Sequence, residues 1–203
     1  MIRFSSGLLS LASEFTGKFT PWQAVTVMPH DGGVLVASSD RGAATFFGWD
    51  PQGVATEEAS FLVSKELTAA ARGIKSAVRE LSIEGDLAVV TTYHAKHSTS
   101  KELTISRSSQ ATPPFRSALA KALSYWTATP ELSQTAGRYD LDLFAKAIKI
   151  LAAESVDSVV LSAFQGGPLR LQREDMSALV MLMPQEAAPI PRVPPWVETC
   201  AAA

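Results

Sequence analysis

One local order of elements occurs three times along this chain, and that repetition narrows the possible folds more than composition does. Residues 2–50 read as a short strand "IRFS", a helix "GLLSLASEF" and three strands, "AVTVMPH", "GVLVASSD" and "AATFFGW". Asp31-Gly32-Gly33 and Asp40-Arg41-Gly42 supply the turns. The second copy opens with the strand "ATEEASFLVS", in which Ser64 is placed to cap a helix over 65–79, and continues through "RELSIEG", "LAVVTTYH" and "KELTISR". The third runs "RYDL", a helix "DLFAKAIKILAAE", then "SVVLSAF", "PLRLQRE" and "SALVMLMP". A β-α-β-β-β unit recurring about every fifty residues predicts an α+β architecture of repeated units, with helices on one face of antiparallel sheets.

Between the second and third copies, a Pro-Pro break precedes one amphipathic helix, Phe115 to Trp126, with no readable strands after it. We therefore expect a first domain over 1–108 holding two units and a second, reduced domain over 109–185. A Pro-rich tail over 186–203 follows, with Pro at 189, 191, 194 and 195 and a lone Trp196. A chain of 203 residues with 46% hydrophobic content can bury one large core or two ordinary ones. No apolar run approaches the roughly 18 residues of a spanning helix, and the N-terminus lacks a signal-peptide pattern. Cys200 is the one cysteine, which excludes an internal disulfide framework and fits a reducing compartment, so the expected location is cytoplasmic.

A net charge of −2 rules out a polycation, so any contact with nucleic acid must come from cations gathered on one surface. Projected at 100° per residue, the helix expected over 65–79 places Lys65, Arg72, Lys75 and Arg79 within an arc of about 80°. Leu67, Ala70, Ile74 and Val78 lie opposite them. Arg116 and Lys121 in the next helix, and Lys146 and Lys149 in the last, also fall outside the apolar arcs. Many acids, Asp31, Asp40, Asp86 and Glu174 among them, fall in turns or strands. Basic helices beside acidic loops are what a duplex-facing helical surface requires, although Lys and Arg are also the ordinary solvated surface of helices.

The residues point to no catalytic site and no metal site. His94 and His97 have an H-x-x-H spacing at a hairpin turn but lack a convincing third ligand, and no nucleophile elbow or phosphate-binding glycine loop is present. No cofactor is expected, and the chain is not expected to be an enzyme.

Three segments resemble the DNA sliding clamps, the bacterial polymerase β-clamp more than the eukaryotic type. "SFLVSKELTAAARGI" at 60–74 resembles a clamp strand followed by a helix that begins near a Lys. "GVLVASSDRGAATFF" at 33–47 is similar to the clamp strand that ends in a Thr-Asp-Gly-like turn. "VVLSAFQGGPLRLQREDMSALVMLMPQ" at 159–185 resembles the terminal clamp hairpin, whose last strand ends in Met-Pro. The resemblance covers about residues 1–108 and 137–185. It implies a protein that encircles or cradles double-stranded DNA through sequence-independent phosphate contacts and tethers a DNA polymerase or repair enzyme. It also implies that Met181, Leu182, Met183 and Pro184 border a cleft for partner peptides. Clamp rings contain twelve such units, so this chain would close a ring as a homo-oligomeric trimer or tetramer. The alternative the resemblance leaves open is an adaptor or inhibitor that keeps the fold and binds replication proteins without surrounding DNA.

Overall fold

A computed structural model describes residues 1–74, 76–120, 137–152, 158–162 and 168–187. The first unit is β1 (Ile2–Ser5), α1 (Ser6–Ser13), β2 (Ala24–His30), β3 (Gly33–Asp40) and β4 (Ala44–Asp50). After the short β5 (Val54–Ala55), the second is β6 (Ala59–Leu62), α2 (Lys65–Ala71), β7 (Val78–Glu84), β8 (Leu87–Tyr93) and β9 (Ser98–Thr104). A two-residue β10 (Ser106–Arg107) leads to helical residues 115–120, called α3 here. The third unit is β11 (Gly137–Arg138), α4 (Leu141–Leu151), β12 (Val159–Ser162), β13 (Leu169–Arg173) and β14 (Ala178–Leu182), followed by β15 (Glu186–Ala187). All three expected β-α-β-β-β units are present.

The first two units exchange their leading strands. Strand β1 joins the second unit's sheet, ordered β5-β1-β7-β8-β9, while β6 joins the first unit's strands beside β2. The first unit is also fused to the third. Strands β4 and β14 pair antiparallel from Ala44↔Leu182 to Ala178↔Gly48, so one eight-stranded sheet runs β10-β6-β2-β3-β4-β14-β13-β12. The expected boundary near residue 108 is therefore crossed by a continuous ladder.

Strand periodicity divides this sheet's side chains into two cores. Val25, Val27, Val34, Val36, Phe46, Val180 and Leu182 face a large cluster shared with α1, α2, α4 and the five-stranded sheet. Met28, Leu35, Ala37, Phe47, Leu179 and Met181 face the other way and pack with Phe115, Ala118 and Leu119 of α3. Phe115 meets Phe47 edge-on, their ring centroids 6.0 Å apart. Helices α1, α2 and α4 thus share one face of the large sheet, and the short α3 adds cover to the other.

The helix expected over 65–79 is also corrected. Strand β7 begins at Val78, where Leu81 and Ile83 alternate into the core, and α2 ends at Ala71. Arg79 consequently sits on a strand. Its guanidinium donates to the carbonyl oxygens of Ala70 (3.1 Å) and Arg72 (2.7 Å), closing the open end of α2, and to the Thr92 hydroxyl at 3.1 Å. Replacing Arg79 with Ala should lower unfolding free energy by about 1–2 kcal/mol in urea denaturation, because it leaves helix-end carbonyls without their donor. Arg72→Ala, at an exposed side chain, should stay within about 0.5 kcal/mol.

Candidate nucleic-acid and partner interfaces

Helix α1 is buried from Ser6 to Ala12 and presents no charge, so cations on this side of the large sheet come from its neighbours α2 and α4. Ser64 caps α2 by accepting the Leu67 N–H at 3.1 Å, and the exposed Lys65 follows. Glu66 next to it pairs with Lys101 of β9 at 3.0 Å, an exposed contact of little energetic weight. Arg72 is exposed just beyond α2. In α4, Asp140 accepts the N–H groups of Asp142 (2.9 Å) and Leu143 (3.0 Å), and Lys149 is exposed in the last turn, where the helix dipole favours a cation.

The remaining expected DNA contacts are placed differently. Lys146 donates to the backbone carbonyl of Glu14 at the end of α1, lies 3.9 Å from the Glu14 carboxylate, and sits 5.6 Å from the centroid of the Phe15 ring. It fastens α4 to α1. Arg116 donates to the Pro29 carbonyl oxygen at 2.8 Å and lies 3.9 Å from the Glu58 carboxylate. It belongs to α3, on the opposite face of the sheet from α1 and α4. Arg79 closes α2, as described above. Lys75 and Lys121 lie outside the described residues. Of the eight cations expected from helix projection, Lys65, Arg72 and Lys149 are therefore the exposed ones on the α1 side among the described residues.

The four residues expected to border a partner cleft divide in the same way. Met181 and Leu182 are 6% and 2% exposed and point into the two different cores, whereas Met183 is 47% exposed and Pro184 half-buried. Leu182 and Met183 join Ala43 and Leu143 as the apolar part of a cleft of about 350 Å³. Asp40, Asp140 and Asp142 add carboxylates to its wall, which the sequence did not associate with this strand. Two backbone bonds hold its rim: the Met183 N–H donates to Ala43 at 3.0 Å and the Gln185 N–H to Arg138 at 2.8 Å.

Burial also involves charge that alternation alone does not disclose. Arg170 on β13 is 2% exposed, and desolvation lowers its guanidinium to about 10, which leaves it charged at neutral pH. At the β13–β14 turn, burial alone would raise the Asp175 carboxyl. Hydrogen bonds from the Ser177 hydroxyl and N–H, together with Arg173 at 3.0 Å, outweigh that effect and hold it below its ordinary value. His94 and His97 stack with centroids 4.7 Å apart at their exposed turn. Among the described residues no group of three or more His, Cys, Asp or Glu could hold a metal ion, and no helix is long and apolar enough to cross a membrane.

Lys146→Met should cost about 1 kcal/mol of stability, since it removes a cation bonded to a helix-end carbonyl and seated over an aromatic ring, and should leave any DNA affinity unchanged. Lys149→Met should do the reverse. Paired urea denaturation and fluorescence anisotropy with a labelled duplex measure both quantities.

Comparison with solved structures gives a consistent set of neighbours. DNA polymerase III subunit beta from Borrelia burgdorferi superposes with a TM-score of 0.54 at 10% identity, covering 92% of this chain and 64% of that one. The proliferating cellular nuclear antigen of Entamoeba histolytica gives 0.52 at 13% identity, covering 91% and 98%. The DNA polymerase sliding clamp from Bacillus subtilis gives 0.51 at 10% identity, covering 96% and 67%. The chain thus spans about two thirds of the length of the bacterial proteins it resembles. No family model and no curated protein matches it.

Proposed function

Because the chain has the fold of the DNA sliding clamps, we propose that it is a non-enzymatic tether that holds a replication or repair protein on duplex DNA. The observation that carries this reading is the clamp fold itself, extending over nine tenths of the chain and setting α1, α2 and α4 on one side of the large sheet. Lys65, Arg72 and Lys149 are the side chains assigned to the duplex. They are cations on helices and at a helix end, assigned here to phosphates, whose contacts carry no sequence information. Contacts of that kind hold DNA without fixing a position on it.

Three phosphate contacts are few, and the carboxylates of Glu66 and Asp142 lie on the same helices. Affinity from one chain should accordingly be weak, with a modest salt slope of about −2.7. The triple variant Lys65→Glu/Arg72→Glu/Lys149→Glu should abolish duplex binding, and neutralising the three should reduce the salt slope by about 2.7. Duplex affinity measured by anisotropy across a salt series checks this; binding unchanged in the charge-reversed variant overturns the DNA assignment.

The small number of exposed cations on the α1 side among the described residues favours a second reading, in which the fold serves as an adaptor or inhibitor that engages replication proteins without surrounding DNA. Both readings use the cleft beside Met183, where apolar side chains lie next to the carboxylates of Asp140 and Asp142 and to Asp40, itself 3.5 Å from the Arg41 guanidinium that also lines the cleft. A peptide that pairs an apolar anchor with a flanking Lys or Arg fits that chemistry. Met183→Asp should weaken such a peptide by about tenfold or more, corresponding to roughly 1.4 kcal/mol, with little effect on stability because Met183 is 47% exposed. Calorimetric titration measures it. Loss of peptide binding with retained duplex binding separates the cleft from the helix face, and a wild-type protein that binds peptide but not duplex selects the adaptor.

A further inference from the structure

The cleft beside Met183 adjoins the last described residues of the chain. Gln185 lines it and donates through its side-chain amide to the Asp140 carboxylate at 3.3 Å, and β15 then pairs Ala187 with Gly137. Residues 188–203 continue from that point and lie outside the described residues. Their one cation is Arg192, set among Ile190, Val193 and Trp196. The cleft presents the counterpart of that pattern. Leu143, Leu182 and Met183 supply apolar surface. Asp40 is engaged by Arg41 at 3.5 Å, and Asp140 accepts the N–H groups of Asp142 and Leu143. Asp142 is exposed on the same wall, where its carboxylate faces a cation arriving from solvent.

We infer that residues 190–197 occupy the cleft of their own chain, with Arg192 against the Asp140 and Asp142 carboxylates and its apolar neighbours against Met183. An outside peptide then binds only by displacing them. This rests on the reading of the cleft as a peptide site and adds the device that regulates it. Reach permits it: Arg192 lies seven residues beyond Gln185, a span of up to about 23 Å in extended chain, ample to turn back into a cleft of about 350 Å³. Prolines at 189, 191, 194 and 195 restrict the segment before it docks, so less freedom is lost on docking. The tether also holds it near the cleft at an effective concentration of the order of 1 mM, so a modest intrinsic affinity keeps the cleft filled. The guanidinium adds a charge-assisted bond to a carboxylate, which an apolar segment alone would lack.

The probe is a synthetic peptide of residues 188–199, titrated calorimetrically into the full chain. Wild type should bind it weakly, because the tethered copy already fills the cleft. Arg192→Glu/Trp196→Ser in the chain should bind it at least about tenfold more tightly, and adding Met183→Asp should remove that gain. In a Cys200→Ala background, Met183→Cys/Val193→Cys should close an intrachain disulfide on mild oxidation, and Arg192→Glu should slow the closure. Leu87→Cys/Val193→Cys, with the first cysteine at an exposed position on the five-stranded sheet, should not close. Equal affinity of wild type and Arg192→Glu/Trp196→Ser for the probe overturns the inference, and so does equal closure from positions 87 and 183. A disulfide that forms only between two chains also overturns it and gives the cleft to the tail of a second copy. None of these results removes the peptide site itself, which stands or falls on whether Met183→Asp weakens a peptide of unrelated sequence that carries an apolar anchor and a flanking Lys or Arg.

Discussion

Burial of α1 is the constraint on which the rest of the structure depends. Seven successive residues, Ser6 to Ala12, are removed from water in the helix Ser-Gly-Leu-Leu-Ser-Leu-Ala-Ser. Such a helix fits between two sheets only if its neighbours come close, and Gly48 on β4 shows how closely. A Cβ built there would lie 2.7 Å from a methyl group of Leu8, a separation real side chains do not adopt. Burial then creates a second requirement, because carbonyl groups at the end of a helix must be satisfied away from water. The Ser38 hydroxyl donates to Ala12 at 2.6 Å, Lys146 donates to Glu14, and the Ser6 hydroxyl at the other end donates across to Ala71 of α2 at 2.8 Å. Partners from β3, α4 and α2 thus converge on one small helix.

That requirement accounts for the fate of the cations. A lysine or arginine able to reach a helix-end carbonyl gains a charge-assisted hydrogen bond, whereas one in open solvent gains little. Arg79 and Lys146 are held in this way, at α2 and α1 respectively. Arg116 makes a similar bond to Pro29 on the far face of the sheet. Helix projection groups all three with Lys65 and Lys149, because it records the direction of a side chain around its own axis and nothing about carbonyls belonging to other elements. Among the described residues the cationic surface on the α1 side is consequently thinner than helix projection implies.

The same distinction explains which parts of the fold were legible. The three β-α-β-β-β units were readable because each switch between a period of two and a period near 3.6 is local, and Asp31-Gly32-Gly33 and Asp40-Arg41-Gly42 mark their turns. Residues 72–79 were misread because Val78 and Ile74 continue the apolar spacing of α2 past Gly73. The strand alternation of Arg79, Leu81 and Ile83 was the competing signal, and the pairing of β7 with both β1 and β8 decided for it. The second core was missed although β3 contained its sign. Gly33 to Ser39 are all buried, and a strand without polar alternation is covered on both faces. An amphipathic helix such as α3 discloses which of its own sides is apolar, but not which side of a sheet receives it.

The join between β4 and β14 settles how the units relate physically. Every residue of β14 is buried, and its five-residue ladder with β4 connects segments more than a hundred residues apart in sequence. A strand buried on both faces and bonded on both edges has no stable state away from its neighbours, because its backbone groups and its apolar side chains would all return to water together. The third unit therefore docks on the first through the same sheet that carries α1, and the cleft beside Met183 exists only where the two units meet. Its apolar wall comes from Ala43 of the first unit and Leu182 of the third, and its carboxylates from Asp40 and Asp140. Loosening the β4–β14 ladder would then dissolve the cleft before it exposed α1, so the integrity of the partner site reports on the joining of the two units.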